Sequence, residues 1–568
     1  MCGIIGYAGS LNAFEILRKG LKRLEYRGYD SAGVAVVGSG IKIEKDAGKV
    51  EEILKKKLEG RIGIGHTRWA THGRVCRENA HPHTDCEGRV AVVHNGIIEN
   101  YAEIKEELER RGHRFRSETD TEVIAHLIEE NLKFGAFEAV KRAVRRLKGS
   151  YAIAVVIENE PKVFFAREKS PLVIGLSDHG NFLASDFTAF LEHTNRVVFI
   201  RDGEVGWVGK NSIYIEKNGK RVERREEVIR WRSEEAEKRG FQHFMLKEIY
   251  EQPEVVLRTL KRRNEIERFA REISESEKLV FTAAGTSYHA AMAFKYASSL
   301  PVDVFIASEF RELYRGGDIF AISQSGETAD TLEAVRFARG KGARVYSLIN
   351  VFGSTLSRLS DRVLYMDAGP EIGVAATKTF LAQLAALYGI NSVLEGEEFP
   401  KFDIRGVLKL DREMRKLAAE VAHARSMFYI GRGVSYVTAM EGALKMKEIA
   451  YIHAEAYPGG ELKHGPLALI EEGVPVVAIC PHDHLRDKML GNVEEVKARG
   501  GFVIAFGEKG DNELEALADR FYGIEEVDWK YSPILYTVPL QLLAYHTAVL
   551  LGRDPDKPRN LAKSVTVE

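Results

Sequence analysis

Cysteine is scarce in this chain: 568 residues contain four, Cys2, Cys76, Cys86 and Cys480. They are too few and too unevenly spread for a disulfide framework, and a reducing cytoplasm is the expected setting. A surplus of one charge is also missing, since 82 Lys+Arg face 83 Asp+Glu and leave a formal net charge of −1. No overall field draws such a chain to nucleic acid or to an anionic membrane, so neither is an expected partner. The N-terminus MCGIIGYAGS has no basic region ahead of its apolar run, and its first charge is Glu15, which argues against a secretory signal. Long uncharged runs are rare. The stretch from Pro533 to Leu551 is one, but it contains Pro539, Gln541 and His546 and reads as a buried core helix rather than a membrane span.

What the chain does have is ample apolar material. Its 45% hydrophobic content supports several packed cores, and at roughly 150 residues per domain the length suits about four units or a smaller number of large ones. From Ile4 to about Glu216, short β-rich runs (AGVAVVG, GRVAVVHNG, SYAIAVVIE, KVFFARE) alternate with glycine, broken by helical stretches near Ala102–Arg111 and Thr121–Leu147. Stacked sheets with helices are expected there. A charged segment, NGKRVERREEVIRWRSEEAEKRG, reads as a linker over 221–245.

Beyond it the pattern becomes strand, Gly/Ser turn, helix, and it occurs twice. Gly285-x-Ser287-Tyr288 returns as Gly433-x-Ser435-Tyr436 at an offset of 433 − 285 = 148, and Asp361-Arg362 returns as Asp519-Arg520. Two copies of one α/β domain are the simplest explanation, with mainly parallel sheets and ligands at the carboxyl ends of the strands. The expected boundaries are 246–398 and 399–555, followed by a tail, 556–568.

Several side chains suggest chemistry. Loss of Met1 gives Cys2 both a thiol and a free α-amine of pKa about 7.7–8.0, so nucleophile and base share one residue. HTRWATHG (His66–Gly73) sets a guanidinium beside an aromatic wall, suited to an amino-acid carboxylate. HNG (His94–Gly96) is expected to end a strand and to offer two oxyanion donors, and SETDTE supplies Asp120 for a substrate ammonium. Taken singly, each has a plainer reading: an ion pair for Arg68, a turn at Asn95-Gly96, an N-cap at Thr119 or Asp120. Cys76, His81, His83 and Cys86 lie within eleven residues, but their spacing matches no common zinc finger, and no metal is assigned to them.

In the second part, SQSGETADT (Ser323–Thr331) places hydroxyl, amide and backbone donors at a helix N-terminus, an anion pocket without a positive charge. Such neutral donors suit a sugar phosphate, whereas a nucleoside triphosphate pocket would contain Gly-Lys-Ser/Thr. The equivalent strand of the second copy ends ICPHDH and lacks the hydroxyls. That copy has instead Glu441, Lys445 and Glu448 at i, i+4 and i+7 on one helical face, with His464 in the next loop. Near the end, PRNLAKSVTVE adds Lys563 on an apolar tail.

Together with EYRGYDSAG (Glu25–Gly33) and NAHPH (Asn79–His83), the motifs of the first 220 residues resemble the class II glutamine amidotransferases. The resemblance implies a four-layer αββα fold of the N-terminal-nucleophile (Ntn) hydrolase kind over 2–220. It also implies Cys2 as nucleophile, Asn95 and Gly96 as oxyanion hole, and Arg68, Trp69, Thr71, His72 and Asp120 as glutamine-binding residues. The second part resembles a pair of sugar isomerase (SIS) domains, each a doubly wound parallel sheet. The whole chain is similar to the glutamine:fructose-6-phosphate aminotransferase (isomerizing) family, on GTSY, SQSGETADT, EIGVAATK, EGALKMKE, ELKHGP and PRNLAKSVTVE.

That likeness implies L-glutamine and fructose 6-phosphate as substrates, no cofactor and no metal. Ser287, Ser323, Gln324, Ser325 and Thr328 become sugar-phosphate binders, Glu448 the C1/C2 base assisted by Lys445 and Glu441, His464 the ring opener and Lys563 the Schiff-base lysine. It further implies a homodimer in which His464 crosses the subunit interface. Two other readings compete: a class II amidotransferase of the phosphoribosyl or asparagine-forming type, and a non-catalytic sugar-phosphate sensor. The first needs a diphosphoribosyl or ATP site that is not visible. The second has no use for Cys2, Arg68 and Lys563 together. One departure stands out, Ala376 in EIGVAATK, where that family commonly has Ser.

Overall fold

The computed structural model describes residues 2–70, 73–229, 231, 235 and 237–565. The chain divides into two compact units, Met1–Ala236 with Ala562–Glu568, and Glu237–Leu561.

The first unit holds two antiparallel sheets of eight and seven strands. In the larger sheet, Gly3–Gly9 lies between Ile62–Arg68 and Gly180–Ala184. In the smaller one, Val90–Ile98 pairs with Gly149–Ile157, Asn95 facing Ala152 and Gly96 facing Tyr151. Alternation of side chains then sorts the two faces. Ala91, Val93, Ala152 and Ala154 pack against Ile4, Ala8 and Ile64 of the other sheet, and these small residues let the sheets approach closely. Val90, Val92, Ile153 and Val155 face outward under the helices Glu122–Asn131 and Ala136–Val144. Helix Ala13–Leu24 covers the outer face of the larger sheet, so the layers run αββα.

Two expectations are corrected here. The helical stretch expected over Thr121–Leu147 is interrupted, because Gly135 adopts φ +90° and starts a second helix after a short turn. The segment read as a linker is partly sheet: Lys220–Arg221 pairs with Glu216–Lys217, and Glu227–Val228 with Arg196–Val197. Each backbone there gains ladder partners at a sheet edge, although Lys220, Arg221 and Val228 remain exposed.

The second unit contains two five-stranded, all-parallel sheets. Numbered within each copy, the strand order is 2-1-3-4-5 both times, Leu279–Ala283 and Ser426–Gly431 being the first strands. Helices Thr286–Ala297 and Val434–Lys445 follow those strands and pack on one another. The apolar helix Ser532–Leu550 is long enough to span a membrane by length and composition, but it lies buried in this unit against helices Asp411–Val421 and Val434–Lys445. Gln541 and Thr547 within it are wholly buried, and Gln252 meets Gln541 while Thr547 Oγ1 donates to the Leu543 carbonyl.

Candidate active sites

In the first unit, the register of Gly3 opposite Thr67, continued by one residue, sets Cys2 beside the end of strand Ile62–Arg68. The Cys2 thiol lies against the backbone of Trp69, whose N–H donates to Sγ at 3.3 Å, while Sγ–H reaches the Trp69 carbonyl at 3.5 Å. Asn95 Nδ2 donates to the Cys2 carbonyl at 3.0 Å. The amide is fixed from behind: His66 Nε2 stands 3.0 Å from the His94 carbonyl and 3.1 Å from Asn95 Oδ1. Both partners accept, so Nε2 carries the proton and Asn95 presents its NH₂ toward residue 2. Burial, then the neighbouring Arg68, pushes His66 down to about 3, which keeps that ring neutral. Burial pushes the Cys2 thiol up from its ordinary value.

Asn95 and Gly96 lie inside strand Val90–Ile98 rather than at its end, which corrects the expectation above. Gly96 makes this possible. Its φ is +124°, and a Cβ there would stand 2.0 Å from the Ser150 carbonyl oxygen, so the strand twists locally without a side chain. Asp120 is tied to the same strand, Ile98 N–H donating to Oδ2 at 2.8 Å. Neither Thr119 nor Asp120 caps the next helix; Thr121 holds that position. Arg68 is 4% exposed and donates to the Arg74 carbonyl at 3.4 Å. Trp69 makes an edge contact with Tyr29, ring centroids 5.7 Å apart. Thr71 and His72 lie outside the described residues.

His81 and His83 join this hydrogen-bonded interior. His81 stacks on His66 at 4.1 Å, its Nδ1 accepts from His94 N–H at 3.3 Å, and His83 Nε2 lies 3.1 Å from Thr119 Oγ1. Cys86 turns elsewhere, toward His113, His126 and Glu129. The four residues Cys76, His81, His83 and Cys86 therefore do not form a cluster.

In the second unit, Ser323 ends strand Asp318–Ser323, and its Oγ accepts from Gly326 N–H at 3.0 Å. Glu327 N–H donates to Ser325 Oγ at 3.1 Å, and Asn350 N–H and Val351 N–H donate to the Gln324 carbonyl at 3.3 and 3.2 Å. Thr328 occupies the N-cap of helix Ala329–Gly340 without a side-chain capping bond. The turn is compact because Gly326, at φ +65°, lies where a Cβ would meet Ser354 Oγ at 2.2 Å. Ser287, at the start of the neighbouring helix, accepts from Gln383 Nε2 at 2.9 Å.

The same unit brings Glu441, Lys445 and Glu448 together. Lys445 Nζ lies 3.4 Å from Glu441, contacts Glu448 and donates to Thr286 Oγ1 at 3.2 Å. Thr286 Oγ1 in turn donates to Glu441 at 3.1 Å, and His289 Nδ1 stands 2.6 Å from the other oxygen. Burial opposes the charge on Lys445, but Glu441 and Glu448 outweigh it and hold the ammonium above its ordinary range. Burial likewise opposes Glu441, which Lys445 and His289 nevertheless keep below the usual carboxylate value.

His464 ends the turn Gly459–His464 and is exposed there, although Leu462 of the same turn is buried. Lys563 falls in the segment Ala562–Glu568, grouped with the first unit, so the second unit by itself does not contain it. The chain is anchored just before that point, where Asp556 accepts from Phe244 N–H and Met245 N–H and Arg559 N–H donates to Tyr451 Oη.

Sequence reasoning missed the supports of these sites. His289 and Thr286 complete the Glu441–Lys445 group from the other copy. Glu248 accepts from Ile372 N–H and Gly373 N–H, and Glu371 from Thr377 N–H and Thr379 N–H, shaping the loop that contains Ala376. His289 on the largely apolar helix Thr286–Ala297 was the available signal; Glu371 lies in a loop and Glu248 on a helix rich in charge.

Comparison with known proteins agrees with this division. The SIS domain family matches residues 272–390 and 420–551, and the glutamine amidotransferase domain family matches 66–192. The chain is 50% identical to the glutamine–fructose-6-phosphate aminotransferase (isomerizing) of Pyrococcus horikoshii and 51% identical to that of Thermococcus kodakarensis, each over the full length of both chains. The solved C-terminal domain of glucosamine-fructose-6-phosphate aminotransferase from Francisella tularensis is 38% identical, covers 57% of this chain and all of its own, and superposes with a TM-score of 0.50.

Proposed function

The chain belongs to the glutamine–fructose-6-phosphate aminotransferase (isomerizing) family, and on that premise we propose how its residues divide the reaction. The enzyme takes ammonia from glutamine and uses it to convert fructose 6-phosphate to glucosamine 6-phosphate, with glutamate as co-product.

Cys2 is the nucleophile. Removal of Met1 frees an α-amine of pKa about 7.7–8.0, able to accept the thiol proton near neutral pH and offset the burial that raises the thiol. Arg68 pairs with the glutamine α-carboxylate and Asp120 with its ammonium. Thiolate attack on the side-chain amide places negative charge on oxygen, which Asn95 Nδ2 and Gly96 N–H receive. Collapse of that intermediate expels ammonia and leaves a thioester, which water cleaves to glutamate. The observation that supports this most directly is the fixed amide: His66 holds Asn95 Oδ1 so that its NH₂ is already aimed at residue 2.

In the second unit, Ser323, Gln324, Ser325 and Thr328 bind the sugar phosphate, with Ser287 nearby on the other helix N-terminus. Neutral donors at a helix N-terminus match a dianion without fixing a counter-ion. His464 of the partner subunit opens the ring in a homodimer. Lys445 is unsuited to form an imine, because two carboxylates keep it protonated. The imine is assigned to Lys563, and ammonia replaces that lysine at C2. Glu448 then moves the proton between C1 and C2, with Lys445 stabilising its carboxylate. The cytoplasm is the compartment this substrate pair suits.

Incubation of the full chain with glutamine and fructose 6-phosphate, with glutamate and hexosamine phosphate assayed together, tests the assignment. Equimolar appearance of both is expected. Glutamate without amino sugar would overturn it.

A further inference from the structure

Four ligand-type side chains of the first unit converge on one point that the reaction does not use. Cys86 follows the short strand His83–Thr84, His113 follows helix Tyr101–Arg110, and His126 and Glu129 sit one turn apart on helix Glu122–Asn131. The ligand atoms of all four lie within 4.8 Å of one another. Cys86 Sγ is 3.7 Å from the Nδ1 atoms of both His113 and His126. Those two nitrogens are 3.2 Å apart, and each lies 3.0–3.1 Å from Glu129 Oε2.

These are five edges of a small tetrahedron, and the sixth, from Cys86 Sγ to the Glu129 carboxylate, is no longer than 4.8 Å. Ligand bonds of about 2.0–2.3 Å to a tetrahedral zinc ion require ligand–ligand edges of about 3.3–3.7 Å, longest where sulfur takes part. The two sulfur–nitrogen edges match that length, and the nitrogen–nitrogen and nitrogen–oxygen edges are slightly tighter. Thiolate and carboxylate together supply two negative charges, which balance a divalent cation. Thiolate, two imidazoles and a carboxylate also form a donor set that zinc accepts, whereas calcium and magnesium prefer oxygen alone.

The surrounding groups fit as well. Each imidazole presents its Nδ1 inward and has a carboxylate beyond its Nε2, within ion-pair but not hydrogen-bond range: His126 Nε2 is 3.7 Å from Glu122, and His113 Nε2 is 3.6 Å from Glu130. Carboxylates behind ligating histidines fix ring orientation and raise ligand basicity. Cys86 N–H donates to Glu129 Oε2 at 3.2 Å, which pins the thiol-bearing turn to the helix.

We propose that Cys86, His113, His126 and Glu129 form a structural zinc site in the amidotransferase unit. Four protein ligands leave no open position, so the ion is not catalytic. Its effect is mechanical: it fastens the turn at Cys86 and the start of the loop after His113 to helix Glu122–Asn131, and that loop contains Asp120. This holds whatever the reaction of the enzyme.

The test uses the full chain purified without a metal-chelating tag. Elemental analysis is expected to find about one zinc per chain, restored by added zinc after chelator treatment. Cobalt in its place is expected to give the visible bands of a tetrahedral ion and a thiolate-to-cobalt charge-transfer band in the near ultraviolet. Cys86→Ala and His126→Gln should lose the ion, Cys76→Ala should keep it, and Glu122→Gln should weaken zinc affinity roughly 10–100-fold. Wild-type protein that binds neither zinc nor cobalt, or a cobalt complex without the charge-transfer band, would overturn the proposal and leave a purely hydrogen-bonded cluster. So would full zinc content in Cys86→Ala. If the variants fail to fold, the wild-type cobalt spectrum decides the matter alone.

Discussion

Gly285 and Gly433 adopt the same backbone conformation, φ +55°, ψ −131° and φ +56°, ψ −132°, at the N-caps of the two corresponding helices. That conformation is open to glycine and strained for any residue with a Cβ.

Alanine at either position should therefore cost about 1–3 kcal/mol through backbone strain. Gly433→Ala should lie at the upper end, because its Cβ would stand 3.1 Å from Leu485 Cδ1, whereas a Cβ on residue 285 meets nothing within 4 Å. Urea unfolding of both variants checks this, and equal stability with wild type would refute it.

Cys2→Ala should abolish glutamine hydrolysis while fructose 6-phosphate isomerisation persists, since the residues assigned to the two activities occupy separate motifs. Asn95→Ala should retain Cys2 but lower the glutaminase kcat by about 10²–10³, the usual loss for one oxyanion donor. A change confined to KM would mean that Asn95 only positions the substrate.

Acid should weaken the first unit through its buried imidazoles. Burial and neighbouring positive groups push His66 down to about 3 and hold His81 and His83 well below the ordinary histidine value, with Lys45 and Arg68 among those neighbours. Below about 6.5 the unfolded chain takes up protons that these folded rings refuse. Stability is thus full above pH 6.5 and declines as pH falls toward 3. Tryptophan emission can follow this, since Trp69, Trp207 and Trp231 belong to the first unit and only Trp529 to the second. Measured in excess chelator, an unfolding midpoint unchanged between pH 7 and pH 5 would contradict it.

Lys445→Met should cost about 3–5 kcal/mol and eliminate isomerisation, because it leaves the buried Glu441 without its cation. Retained stability with lost activity would show that the pair serves only chemistry.

Ala376→Ser should tighten fructose 6-phosphate by roughly 0.5–1.5 kcal/mol if the added hydroxyl reaches the sugar phosphate. Isothermal titration distinguishes this from the unchanged affinity expected if the loop's backbone donors already suffice.

The repeat was legible because helix-capping glycines and strand lengths impose the same local pattern twice; the identical 2-1-3-4-5 order follows from it. Cys2 was legible from its place behind Met1, whereas Asn95, Glu441 and Lys445 were legible only as members of motif sets, since a turn or a surface ion pair explains each taken singly. The position of Asn95-Gly96 within its strand was not, since Asn-Gly is ordinarily a turn signal and only the pairing with Ala152 and Tyr151 overrides it. The partners of Cys86 were hidden for another reason: His113, His126 and Glu129 are distant in sequence and converge only when the sheet and helix pack.

The bonds from Thr286 and His289 to Glu441 join one copy of the duplicated domain to the other. The ancestral modules thus remain separable in backbone topology but not in electrostatics. A recombination event that exchanged only one copy would keep Lys445 beside Glu441 but could lose Thr286 and His289, so the two halves are constrained to diverge as a matched pair.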